Sequence, residues 1–219
     1  METSQQEILK LARAKMIEKF QGEGTGHDWH HINRVSRLAV NLATKENADT
    51  YITEIAALLH DIADHKFYDG DLTEGPRQAE LFLREIGARQ ETVLAVKKIV
   101  EEVSFKGAGV ETPVSSKESA CVQDADRIDA LGAIGIGRTF AYGGSVGNPM
   151  YEPDLEPEMH SSFERYSSSQ GTTINHFYEK LLLLKDRMNT DAGTEIAVER
   201  HNYMTQFLER FYQEWEGEA

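Results

Sequence analysis

The sequence predicts an all-α fold. Apolar residues recur at helical spacing in one segment after another, and no stretch of any length alternates apolar and polar residues as a half-buried strand would. The chain also lacks internal repeats and low-complexity tracts. Its 219 residues therefore suit a single domain, 1–219, large enough to bury a core without disulfides.

Ile8, Leu11, Ala12 and Met16 share one face of a first helix, and Ile32, Val35, Leu38 and Leu42 one face of a second that begins near Asp28. Ile52, Ile55, Leu58 and Leu59 define a third. Residues 76–86 read as a helix because Pro76 suits a first helical turn. Residues 89–103 carry Val93, Val96, Ile99, Val100 and Val103 at helical spacing, although this β-branched content also suits a strand. The apolar and small-residue run from Ser116 to Tyr142 reads as one or two core helices, broken by Gly143, Gly144, Gly147 and Pro149. Residues 145–171, with Pro149, Pro153, Pro157 and a Ser/Gly run, read as a long loop, mobile or a lid. Helices resume at 173–188 and 193–213, and NTDAG between them reads as a turn with an N-cap. These C-terminal helices, 173–213, complete the bundle.

A net charge of −14 argues against a broad nucleic-acid or anionic-membrane surface, because phosphate backbones reward Lys and Arg. A small phosphorylated substrate is compatible with it, since a few cations and a metal can focus positive charge in one pocket. The single cysteine, Cys121, cannot form a disulfide within the chain and sits in an apolar stretch, as a core residue would. The first residues lack the apolar run of a signal peptide, and no stretch approaches the roughly 18 apolar residues of a membrane span. A cytoplasmic protein is expected.

Three segments concentrate chemistry. Residues 27–35, HDWHHINRV, hold His27, Asp28, His30 and His31, which cannot all point the same way from one helix. Residues 58–66, LLHDIADHK, end an apolar run with the polar pair His60 and Asp61, which needs partners if buried. Residues 121–131, CVQDADRIDAL, place Asp124, Asp126 and Asp129 inside an otherwise apolar helix, where carboxylates must be paired, protonated or metal-bound. Two imidazoles and two carboxylates drawn from these segments suit a divalent transition metal better than calcium.

The lone His, the His-Asp pair and the distant Asp resemble the HD-domain metal-dependent phosphohydrolase superfamily. HDWHHINRV, ALLHDIADHKF, VQDADRIDALGAIGIGRTFAYGG and INHFYEKLLLLKDRMNT, in this order, are similar to its small bacterial single-domain hydrolases. The resemblance implies metal-site segments at 27–66 and 121–138. It implies His31, His60, Asp61 and Asp126 as ligands of one divalent ion (Mn, or Fe, Co, Ni, Zn or Mg), with Asp124 the alternative to Asp126. It places Asp64 near the attacking water as a general base. Lys66, a basic residue that follows the His-Asp segment, is a second candidate catalytic residue and a candidate phosphate contact. Arg34, Lys106, Arg127 and Arg138 are candidate substrate contacts, since Arg and Lys suit phosphate. The implied activity is hydrolysis of a nucleotide, foremost a nucleoside triphosphate to monophosphate and pyrophosphate. A nucleoside monophosphate phosphatase, a cyclic-nucleotide phosphodiesterase and a non-catalytic nucleotide sensor are the alternatives.

Plainer roles suit other residues. His27 and His30 fit surface or supporting positions, and His65 fits a solvent-facing one. His160, His176 and His201 read as lone structural histidines, although His176 and Lys180 share a helix face. Arg127 can pair with Asp124 or Asp129. The glycines of GAIGIG do not match a dinucleotide fingerprint and instead permit close helix packing. Phe207, Phe211, Tyr212 and Trp215 read as core or domain edge.

Overall fold

Helices form wherever the apolar spacing predicts them. In the computed structural model, which describes residues 3–22, 28–63, 71, 73–103, 112–158 and 171–218, no strand occurs among the described residues. The chain divides into two compact units, Met1–Phe105 with Thr112–Asp126, and Lys106–Glu111 with Arg127–Ala219.

The first unit contains α1 (Gln5–Lys19), α2 (Trp29–Glu46), α3 (Thr50–Leu59), α4 (Glu74–Glu85), α5 (Gln90–Val103) and most of α6 (Lys117–Asp129). Short polar side chains start three of these helices: Ser4, Asp28 and Asp49 each accept from a backbone N–H of the first turn. Helix α3 packs against α1, α2 and α5, and Ile55 to Leu59 are all fully buried, so it is enclosed rather than amphipathic. Pro76 lies in the first turn of α4. Residues 90–103 are helical, because Val93, Val96, Ile99, Val100 and Val103 all enter the core there. That burial outweighs the few tenths of a kcal/mol by which valine disfavours a helix.

The second unit contains the end of α6, α7 (Gly132–Ser145), α8 (Thr173–Glu179), a 3-10 helix over Leu181–Arg187 and α9 (Asp191–Trp215). The apolar run from Ser116 thus forms two helices, separated where Gly132 takes a φ of 72°. The second continues through Gly143 and Gly144, contrary to expectation, and stops before Gly147, whose φ is 78°. Gly143 is retained inside the helix because a Cβ there would lie 2.3 Å from Thr173 Oγ1. A continuous helix over 173–188 is also corrected: the backbone breaks at Lys180 (φ −139°, ψ −59°) and tightens into the 3-10 helix. Residues three apart eclipse in that geometry, which puts Leu181 and Leu184 together on the buried side. Thr190 caps α9 by accepting from Gly193 N at 3.0 Å, as NTDAG foretold.

Residues 146–158 form no helix, but they are fastened to α8. Thr173 and Ile174 donate their N–H groups to the Pro149 and Met150 carbonyls, and Asn175 Nδ2 donates to the Leu155 carbonyl at 2.9 Å. The remainder of the expected loop, 159–170, lies outside the described residues. Phe140, Phe177 and Phe207 meet in one aromatic cluster, while Tyr151, Phe211, Tyr212 and Trp215 form another at the edge, where Trp215 is exposed.

Candidate metal centre

The cap of α2 brings the first imidazole into the core. Asp28 accepts from the backbone N–H of His31 itself at 2.8 Å, so the first turn is fixed at this residue. His31 then shares the buried face with Val35, Ala39 and Leu42 and is only 1% exposed, whereas neighbouring His30 faces solvent. The second imidazole comes from the end of α3. The helix closes with a tight turn, Ile62 N donating to Leu59 O at 3.0 Å, and His60 and Asp61 follow its apolar run directly. Asp126 projects from α6.

These side chains converge. Donor atoms of His31, His60 and Asp126 lie within 4.8 Å of one another. Asp61 Oδ2 stands 3.5 Å from His31 Nε2 and 3.4 Å from His60 Nε2. Asp126 Oδ1 stands 3.6 Å and 3.7 Å from the same two nitrogens. Ligands about 2.1 Å from one ion are themselves about 3 to 4 Å apart, so His31, His60 and Asp126 fit a single divalent cation, with Asp61 close to both imidazoles but outside that mutually close set.

The hydrogen bonding of His60 strengthens that fit. Its Nδ1 lies 2.8 Å from the Ala57 carbonyl, which can only accept, so Nδ1 carries the proton. Nε2 is buried, has no hydrogen-bond partner, and lies 3.4 Å and 3.7 Å from carboxylate oxygens of Asp61 and Asp126. A cation standing among these atoms would satisfy all of them. The imidazole side chains are 1% exposed but Asp61 and Asp126 are 20% and 30% exposed, so the cluster is closed on its nitrogen side and open on its carboxylate side. An open side is what a catalytic rather than structural ion requires.

The other residues singled out in the sequence fall into distinct settings. Asp124 is fully buried and does not join the cluster. Arg34 is half-buried in α2. Arg127 is buried and donates to the Arg187 carbonyl, and Arg138 forms a 2.7 Å ion pair with buried Asp129. Cys121 is buried, and burial, reinforced by Asp124, pushes its thiol up to about 12, so it is an inert core residue. His27, Asp64, His65, Lys66, Lys106 and His160 lie outside the described residues. No motif singles out Glu102, yet it is a buried carboxylate in the same unit as His31, His60 and Asp126. Its only sequence sign is an acid set among the buried valines of α5.

Residues 28–131 match the HD domain family, a span that holds His31, His60, Asp61 and Asp126. YpgQ of Bacillus subtilis is 38% identical over 200 residues, covering 89% of this chain and 87% of that protein. The chain belongs to the HD-domain family. Solved structures agree with this membership. An HD-superfamily hydrolase from Bacillus thuringiensis has a TM-score of 0.76 at 39% identity, covering 98% of this chain and all of that one. A Lactobacillus plantarum protein reaches a TM-score of 0.85 at 35% identity, covering 99% of both chains. YpgQ has been crystallised in complex with ADP, and that structure has a TM-score of 0.73, covering 99% of this HD-domain chain and 100% of YpgQ. No helix among the described residues is long and apolar enough to cross a membrane.

Proposed function

We propose that the protein is a cytoplasmic, metal-dependent phosphohydrolase that acts on a nucleotide, converting a nucleoside triphosphate to monophosphate and pyrophosphate. The observation that carries this is the convergence of two buried imidazoles with the part-exposed carboxylate of Asp126, and a second carboxylate, Asp61, within 3.5 Å of both imidazoles. Support for a nucleotide comes from YpgQ, which binds ADP in its crystal.

His31, His60, Asp61 and Asp126 would hold one divalent ion, Mn(II) in the first place and Fe, Co, Ni, Zn or Mg as alternatives. Such an ion lowers the pKa of a bound water and polarises a phosphoryl group. The chain supplies the rest. The buried imidazoles keep bulk water from one side, and the part-exposed carboxylates leave the other side open to a phosphate. Asp64 takes the proton of the attacking water. Water adds to the α-phosphorus, the bond to the oxygen bridging to the β-phosphate breaks, and pyrophosphate leaves. Arg34 and Lys66 offset the charge of the phosphates.

The test is a Mn(II)-loaded enzyme assayed against nucleoside tri-, di-, mono- and cyclic monophosphates, with every product identified. Pyrophosphate and a monophosphate from a triphosphate are expected. Inorganic phosphate and nucleoside from a monophosphate would replace this with a phosphatase, and a linear product from a cyclic nucleotide with a phosphodiesterase. Nucleotide binding without turnover, at confirmed metal occupancy, would make the protein a sensor.

A further inference from the structure

One buried charge in the same unit as His31, His60 and Asp126 has no part in this chemistry. Glu102 is 1% exposed near the end of α5, and such burial is tolerated only with dense bonding. One carboxylate oxygen accepts from Ser115 N at 3.1 Å, Ser115 Oγ at 2.9 Å and Ser119 Oγ at 2.6 Å. The other lies 3.4 Å from Lys98 Nζ. Burial alone would raise this carboxyl, but the bonds from Ser119 and Ser115 outweigh it and hold the group below the usual glutamate range. Gln123, also fully buried, donates to the Glu102 carbonyl at 3.1 Å and to the Pro113 carbonyl at 2.7 Å.

Ser119, Gln123 and Asp126 follow one another at four and three residues, so they form one stripe along α6. Two further bonds hold the first turn of that helix: Lys117 Nζ donates to Glu46 O at 3.0 Å, and Glu118 accepts from Asp49 N at 2.8 Å. Burial of Ala120, Cys121, Val122, Ala125 and Ile128 seats α6 in the core, but apolar burial is non-directional and does not by itself fix axial register. Directional hydrogen bonds supply that register. A ligand set must be held within about 0.5 Å of its working geometry. We propose that Glu102 is a positioning residue for Asp126: through Ser115, Ser119 and Gln123 it sets the height and rotation of α6, and so where the Asp126 carboxylate stands against the His31 and His60 imidazoles.

The inference rests on the proposed metal site, and Mn(II) affinity measured by electron paramagnetic resonance separates the two. Glu102→Ala should weaken Mn(II) binding by about 10-fold, in the range seen when an outer partner of a ligand is removed. Glu102→Gln, which keeps an acceptor oxygen, should recover part of the loss. In a D126N background, Glu102→Ala should change Mn(II) affinity little, because the ligand it positions is already impaired. If Glu102→Ala does not fold, Ser119→Ala, which removes the 2.6 Å bond alone, makes the same comparison. A Glu102→Ala protein with a lowered melting temperature but wild-type Mn(II) affinity would overturn the inference alone, provided H60A has lost the metal. Wild-type protein that binds no Mn(II), or binds it as tightly as H60A, would overturn the metal site and the inference together.

Discussion

The two units bury polarity with different partners. In the second, buried Asp129 meets Arg138 at 2.7 Å, buried Arg127 donates to the Arg187 carbonyl, and half-buried Arg200 donates to the Ile128 carbonyl at 2.8 Å, while His201 Nδ1 is buried without a hydrogen-bond partner. Aromatic rings fill the rest of its core. The first unit contains one satisfied cluster of this kind, around Glu102, and one that is not satisfied by protein atoms, at His60. Asp126 and Asp129 make the contrast on a single helix. They are three residues apart, yet one faces a guanidinium and the other faces imidazole nitrogens.

The largest effect should come from the unresolved cluster. His60→Ala is expected to lower nucleotide turnover on the order of 10³-fold, since the ion supplies several kcal/mol of the transition-state stabilisation. The same change should abolish the thermal stabilisation by Mn(II), about 2.7 kcal/mol at a hundred times Kd in the wild type. Melting curves with and without the ion check this.

The comparison on α6 predicts effects of opposite kind. Asp129→Ala leaves Arg138 facing a vacated partner and should cost about 3 kcal/mol in urea unfolding, with Mn(II) affinity unchanged. Asp126→Asn should change metal-free stability by less than about 1 kcal/mol, because the Asp126 side chain is 30% exposed and its contacts are well screened, while Mn(II) binding falls. Equal destabilisation by both changes would erase the distinction between the two aspartates.

A smaller effect is expected from acid. Glu102 is held below its ordinary value of 4.5, so its contribution to stability is complete above that value and is lost as pH falls through the lower folded value. Glu102→Gln should therefore flatten this acid limb in metal-free protein, measured by unfolding at successive pH values below 5. An unchanged acid limb would remove the charge from the α5–α6 network. The smallest effect belongs to the α2 cap. Asp28→Ala should cost about 1 kcal/mol, with Asn restoring most of it, because only an accepting oxygen for His31 N is required.

Helix positions were legible because apolar residues advertise their faces. Ile32, Val35 and Leu42 marked α2, and Ile55, Leu58 and Leu59 marked α3. His60 and Asp61 were legible for the converse reason, two polar residues closing an apolar run. Separating Asp126 from Asp124 by geometry was not legible, because neighbouring helical residues differ only in direction and direction depends on how α6 is seated. Glu102 was hidden because its partners, Ser115, Ser119 and Gln123, are ordinary polar residues until the fold gathers them. The continuation of α7 through Gly143 depended on Thr173, thirty positions away, which no local pattern contains.

The central claim is that the first unit completes itself with one cation held by His31, His60, Asp61 and Asp126. Titration of metal-free protein with Mn(II), read by electron paramagnetic resonance for wild type and H60A in parallel, tests it most directly. One tight ion per wild-type chain and none in the variant is the expected result. Two tight ions per chain, or equal uptake by both proteins, would contradict it.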